Sequence, residues 1–165
     1  MKKFLLLFLT FIFFSVEKAF AEPIIGGISM TDRIPQDLYG SWSVVAVQTY
    51  TNNPQKYESM PCVEYWNIYR HANVLTLENP QSGASASVTV KEVKNNKVTF
   101  TRQSNKQNRE ITETPTIMIL GENFIGTDKM LIKNYKNGTL VSTDVVEFMI
   151  QGRKIGGKTV DSLLK

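Results

Sequence analysis

One histidine and one cysteine stand in this chain of 165 residues, and neither has the neighbours that catalysis needs. His71 falls in the short connection between two strand-like runs, with no acid beside it to orient the imidazole as a base. Cys62 stands beside the start of a strand-like run. Without a second cysteine it closes no internal disulfide, and it reads as a buried thiol, with an intermolecular disulfide or a reactive nucleophile as the alternatives. Zinc spacing of Cys and His is absent, as is an Asp-x-Asp calcium loop. Gly26-Gly27 and Gly156-Gly157 lack the strand-to-helix setting of a phosphate loop. Two carboxylates brought together by folding would serve acid–base chemistry, but no spacing selects a pair. The expectation is a protein that is not an enzyme and holds no metal and no cofactor.

The chemistry left to the chain is burial of apolar surface. Apolar side chains recur at every second position, which in a strand places them on one face. Trp42, Val44, Ala46 and Gln48 share a face of the first run. In the second, Trp66 and Ile68 form one face, and Tyr65 and Tyr69 the other. Met130 and Ile132 alternate in the seventh run, and Val146, Phe148 and Ile150 in the eighth. If these faces turn toward a common interior, Val44, Ala46, Gln48, Trp66, Ile68, Met130, Ile132, Val146, Phe148 and Ile150 are candidates to line a pocket for a small hydrophobic molecule. The alternative for each is ordinary core.

Those residues need a closed sheet to position them. Strand-like runs cover about Ser41–Tyr50, Val63–Arg70, Val74–Leu77, Ala84–Val93, Val98–Thr101, Arg109–Leu120, Phe124–Tyr135 and Leu140–Gln151. The connections are short, apart from the polar stretch Thr51–Met60. Asn137-Gly138 is the strongest hairpin signal, since it supplies the positive φ values of a type I′ turn. Pro115 interrupts the sixth run and predicts a bulge or an edge there. No helix is long enough for a parallel crossover, so successive strands pair antiparallel. The fold class expected is all-β, an eight-stranded antiparallel up-and-down barrel, with a two-sheet sandwich as its rival. Residues 22–36 read as an extended lead-in, Gln36–Tyr39 fit one helical turn, 37–155 form the barrel and 156–165 a short tail.

Residues 1–21 read as a signal peptide: Lys2-Lys3, an apolar run from Phe4 to Val16, then Ala19-Phe20-Ala21. The run is shorter than the ~20 residues of a spanning helix, so cleavage leaves no stable membrane span. The expected location is therefore periplasmic or secreted. Removing Lys2, Lys3, Lys18 and Glu17 with the leader lowers the net charge from +4 to +2. The remaining charges are interspersed, which argues against a nucleic-acid partner.

With these elements in place, the chain resembles the lipocalin-like branch of the calycins. It has that family's Gly-x-Trp as Gly40-Ser41-Trp42, following a possible helical turn and opening the first strand. Arg153 stands where the family has a basic residue packed over that tryptophan. Thr127-Asp128 stands near the family's Thr-Asp-Tyr, although Lys129 follows it here. The cysteines common in secreted animal members are missing, which fits a divergent, bacterial relative. The resemblance implies that Gly40, Trp42 and Arg153 close one end of the barrel. It also implies a small hydrophobic ligand, a lipid or isoprenoid, at the other end, under the Thr51–Met60 loop. A second expectation is a protein-interaction barrel, such as an inhibitor of an exported or host enzyme. Its contact surface would be that loop together with Ser82-Gly83.

Overall fold

The computed structural model describes residues 24–25, 28–57, 59, 61–71, 74–81, 84–106 and 108–157. The signal-peptide reading, Gly26-Gly27, Ser82-Gly83, Met60 and the tail beyond Gly157 lie outside the described residues. Eight antiparallel strands follow one another: β1 Gly40–Thr51, β2 Cys62–His71, β3 Val74–Asn79, β4 Ala84–Lys94, β5 Lys97–Lys106, β6 Arg109–Leu120, β7 Asn123–Lys136 and β8 Thr139–Gly156. Each pairs with the next in sequence, and β8 pairs back onto β1, so the sheet closes into a ring without a free edge. The ring replaces the sandwich alternative.

Local chemistry accounts for the elements. Alternating apolar positions give β1 the buried series Trp42, Val44 and Ala46 against exposed Val45 and Val47. Asn137 and Gly138 take φ values of 51° and 79°, the left-handed pair that turns β7 into β8. Three strands run more than one residue beyond an end read from sequence. β5 continues past Thr101 to Lys106, β8 runs past Gln151 to Gly156, and β3 runs past Leu77 to Asn79.

Pro115 sits at neither an edge nor a bulge. The β5–β6 register runs through Thr99↔Thr116 and resumes, unshifted, at Arg102↔Glu113. The ladder is therefore open opposite Pro115, where a missing N–H costs nothing on that side.

The lead-in differs most from its expected form. Met30–Arg33 is a 3₁₀ turn rather than extended chain, and Gln36–Leu38 is a 3₁₀ turn where one helical turn was expected. Met30, Ile34 and Leu38, spaced four apart, are all buried, and the first turn packs against β4. The Arg70 guanidinium ties this segment to β2 through Asp32, 2.7 Å away. This segment closes the end of the ring that carries Trp42, and that end is called the floor below.

At the floor Trp42 is fully buried. Its Nε1 donates to the Leu38 carbonyl at 2.8 Å, and its ring lies 5.0 Å from that of Phe124. Gly40 is required by its own conformation, φ +131°, and by the close approach of the Gly156 and Gly157 carbonyls. The cation over the Trp42 ring is Lys154, with Nζ 5.1 Å from the centroid, and not Arg153, which is exposed. Strand parity is the reason: Val146, Phe148, Ile150 and Gly152 face inward, so Lys154 shares their side and Arg153 points out. Lys154 Nζ also donates to the Asp37 carbonyl at 2.7 Å, and burial lowers its pKa.

Candidate ligand-binding interior

All ten residues proposed to line the interior lie on the inward face, but at two different depths. Val44, Trp66, Ile68 and Ile150 are buried in the floor core with Phe100, Ile117 and Phe124. Ala46 is buried at their upper margin, and Ile132 and Val146 are buried closer to the opposite rim. Gln48, Met130 and Phe148 also face inward yet are only half-buried, so solvent reaches the upper interior. Tyr65 and Tyr69 alternate with Trp66 and Ile68 and take the outer face of β2.

The upper interior also contains charged side chains in phase with the apolar positions. Glu64 stands on the Trp66 face of β2, and its Oε2 accepts from Trp66 Nε1 at 2.8 Å. Arg102 continues the inward series Val98 and Phe100 on β5, and Glu113 continues Ile117 and Pro115 on β6. Arg102 and Glu113 are register partners, and the guanidinium bonds the carboxylate through Nε and Nη2. Both keep partial solvent contact, with side-chain exposures of 21% and 11%.

Asp128, on β7, completes the group. It is paired with Pro115 and Phe148 and is only 7% exposed. The Thr114 backbone N–H, opposite the open ladder beside Pro115, bonds its carboxyl group. Its Oδ1 is buried with no hydrogen-bond partner. Desolvation raises the Asp128 pKa to about 7, reinforced by the Glu113 and Glu64 carboxylates and opposed by Arg102. Thr127-Asp128 lies within β7, inside the strand bounds read from sequence, with Asp128 facing the interior.

Sequence reasoning passed over Glu64, Arg102, Glu113 and Asp128 as lining residues. The signal was present: each is a charged residue on the same two-residue period as an apolar inner face. Among the described residues no three acids, histidines or cysteines gather closely enough to hold a metal ion.

At the rim above this layer, the start of the long loop is tied to β8. Asn52 exchanges hydrogen bonds with the Val145 backbone, and its side chain donates to the Thr143 carbonyl. Asp144 is buried beneath the loop and gathers Lys56 Nζ at 2.6 Å, Tyr57 Oη at 3.0 Å, Asn134 Nδ2 at 3.0 Å and Asn53 Nδ2 at 3.4 Å. The Lys56 bond leads in holding the Asp144 pKa down at about 2, so the carboxylate stays ionised and the latch stays charged.

Cys62, expected to be buried, is exposed: it shares the inward parity of Glu64 and Trp66 but lies at the first position of β2, at the rim end away from the floor core. Partial desolvation and the Glu64 carboxylate raise its pKa, which disfavours the reactive thiolate. His71 ends β2 at the floor side of the ring. Among the described residues no helix is long and apolar enough to cross a membrane.

Comparison with known proteins supplies no relative: no family model matches this chain, and neither a curated protein nor a solved structure matches it.

Proposed function

We propose that this protein is an exported, lipocalin-like β-barrel that takes a small, largely apolar molecule into the upper half of its interior. The observation that carries the reading is the difference between the two ends. Trp42, Leu38 and Phe124 form a sealed floor, while Gln48, Met130 and Phe148 face inward above it and still meet solvent. Side chains that face inward without being covered are what a ligand would cover. Burial then supplies affinity at about 25 cal/mol per Å² of apolar surface, and polar groups set orientation. The lipocalin-like part of the reading is supported by Gly40-Ser41-Trp42 at the closed end and by a cation, Lys154, over the indole.

The test is uptake of the neutral fluorescent probe N-phenyl-1-naphthylamine, followed by displacement with fatty acids and isoprenoids. One-to-one uptake is expected, and it should be lost when Met130→Trp fills the upper interior. Absence of uptake by the folded wild-type protein would overturn the reading. Export is tested separately by N-terminal sequencing of the protein recovered outside the cytoplasm, with Glu22 as the expected first residue.

A second reading, a protein-interaction barrel, is favoured by the outer wall rather than by the loops. Val63 pairs with Val45, Met149 with Val47 and Ile125 with Met118, and all six are exposed. They form an apolar band across β2, β1, β8, β7 and β6, interrupted by Gln151. Val45→Lys with Met149→Lys would abolish binding to such a partner and leave probe uptake unchanged.

A further inference from the structure

We infer that the interior ligand carries a protonated amino group, received by Asp128, with Glu64 and Glu113 supplying further negative charge in the same layer. This rests on the interior-binding reading above and names the chemistry of the ligand's polar end. Three carboxyl groups and one guanidinium face the same layer of the ring. The guanidinium is already committed, because Arg102 binds Glu113 through two nitrogens.

Glu64 has one oxygen engaged with Trp66 Nε1. Asp128 lies on the inward face, and its Oδ1 has no hydrogen-bond partner although the residue is more than nine-tenths buried. Buried polar atoms are seldom left unpaired, so an acceptor in this position points to a donor that arrives from outside. An ammonium group offers only donors and brings the charge that the excess of acid lacks. A carboxylate ligand would meet that excess with the wrong sign, and an alcohol would leave the charge uncompensated. A bare metal ion fits poorly, since no three acidic, histidine or cysteine side chains among the described residues come together as ligands.

The molecule implied is an aliphatic or aromatic amine. Its apolar body would lie against Met130 and Phe148, with its nitrogen in the carboxyl layer.

Octylamine, octanol and octanoate share a chain and differ in the head group, so they separate the inference from the reading beneath it. Each is used to displace N-phenyl-1-naphthylamine from the full mature chain at pH 8. Octylamine is expected to displace at a concentration at least tenfold below octanol, with octanoate weakest. Asp128→Asn and Glu64→Gln, each checked for folding by circular dichroism, should abolish the amine's advantage and leave octanol within about twofold of wild type.

Equal displacement by amine and alcohol would overturn the inference while interior binding stands. Tightest displacement by octanoate would also overturn it, and would assign recognition to Arg102. An amine preference unchanged in both variants would overturn its placement in the carboxyl layer. No probe uptake at all would overturn the interior-binding reading, and the inference with it.

Discussion

The ring of Phe124 occupies the space that a side chain at Gly152 would need: a Cβ built there would lie 2.1 Å from Phe124 Cε1. Residue 152 faces the floor core on β8, and Phe124 reaches over it to touch both Trp42 and Trp66. Gly152→Ala should therefore push Phe124 off its two indole contacts. Overpacking of this kind costs about 1–3 kcal/mol, and chemical denaturation should show that loss with an unchanged m-value. A Gly152→Ala protein as stable as wild type would contradict the packing described.

Trp42 should behave as structure before it behaves as a binding residue. Its indole is fully buried, bonded to Leu38 and covered by Lys154. Trp42→Ala should cost about 3–5 kcal/mol by cavity formation and loss of the floor. Lys154→Met should cost less, because it keeps the aliphatic stem and loses only the charge and its bond to Asp37. A stable Trp42→Ala protein that had lost only probe uptake would refute this assignment.

Asp128 and Asp144 make opposite contributions to stability against pH. The folded-state pKa of Asp128 is raised from 3.8 to about 7, so between those values the native protein holds a proton that the unfolded chain releases. Its contribution is fully present below pH 4 and declines as pH rises to 7, by roughly 3–4 kcal/mol at most. Asp144 is held at about 2, so its contribution is present above pH 4 and is lost as pH falls toward 2. Thermal melts should give a maximum near pH 4–5. Asp128→Asn should flatten the limb between pH 4 and 7 and raise the melting temperature at pH 7. A wild-type melting temperature that climbs steadily from pH 4 to 7 would contradict the Asp128 environment.

The loop latch is separable from the core. Asp144→Ala removes the acceptor shared by Lys56, Tyr57, Asn53 and Asn134. Hydrogen exchange at Lys56 and Tyr57, whose amides bond the Asn53 carbonyl, should accelerate at least tenfold, while β5 and β6 keep their protection. Equal acceleration throughout the sheet would mean that Asp144 holds the ring and not the loop.

The strand pattern was legible because period-two alternation and turn residues are local signals, and Asn137-Gly138 is the plainest case. Arg153 was misplaced although the needed signal lay in the same strand: the phase of Val146, Phe148 and Ile150 leads to Lys154. Glu64, Arg102 and Asp128 were hidden for a different reason. A charge in phase with a core face violates the usual pattern of burial, and only ring closure shows that the three strands turn it toward one layer. The lead-in was read as extended because Pro23, Gly26, Gly27 and Pro35 dominate its composition. The four-residue spacing of Met30, Ile34 and Leu38 was the competing signal.

Ring closure through β1 and β8 has a kinetic consequence. The two strands that seal the sheet lie at opposite ends of the described chain, joined through registers such as Ser41↔Gly156 and Ala46↔Ile150. Such pairing must overcome the loop-closure entropy of nearly the whole domain, which slows folding relative to local hairpins. A ribosome-bound chain cannot complete the ring until Gly156 has emerged. A chain cut short within β8 would expose two adhesive strand edges at once, those of β1 and β7.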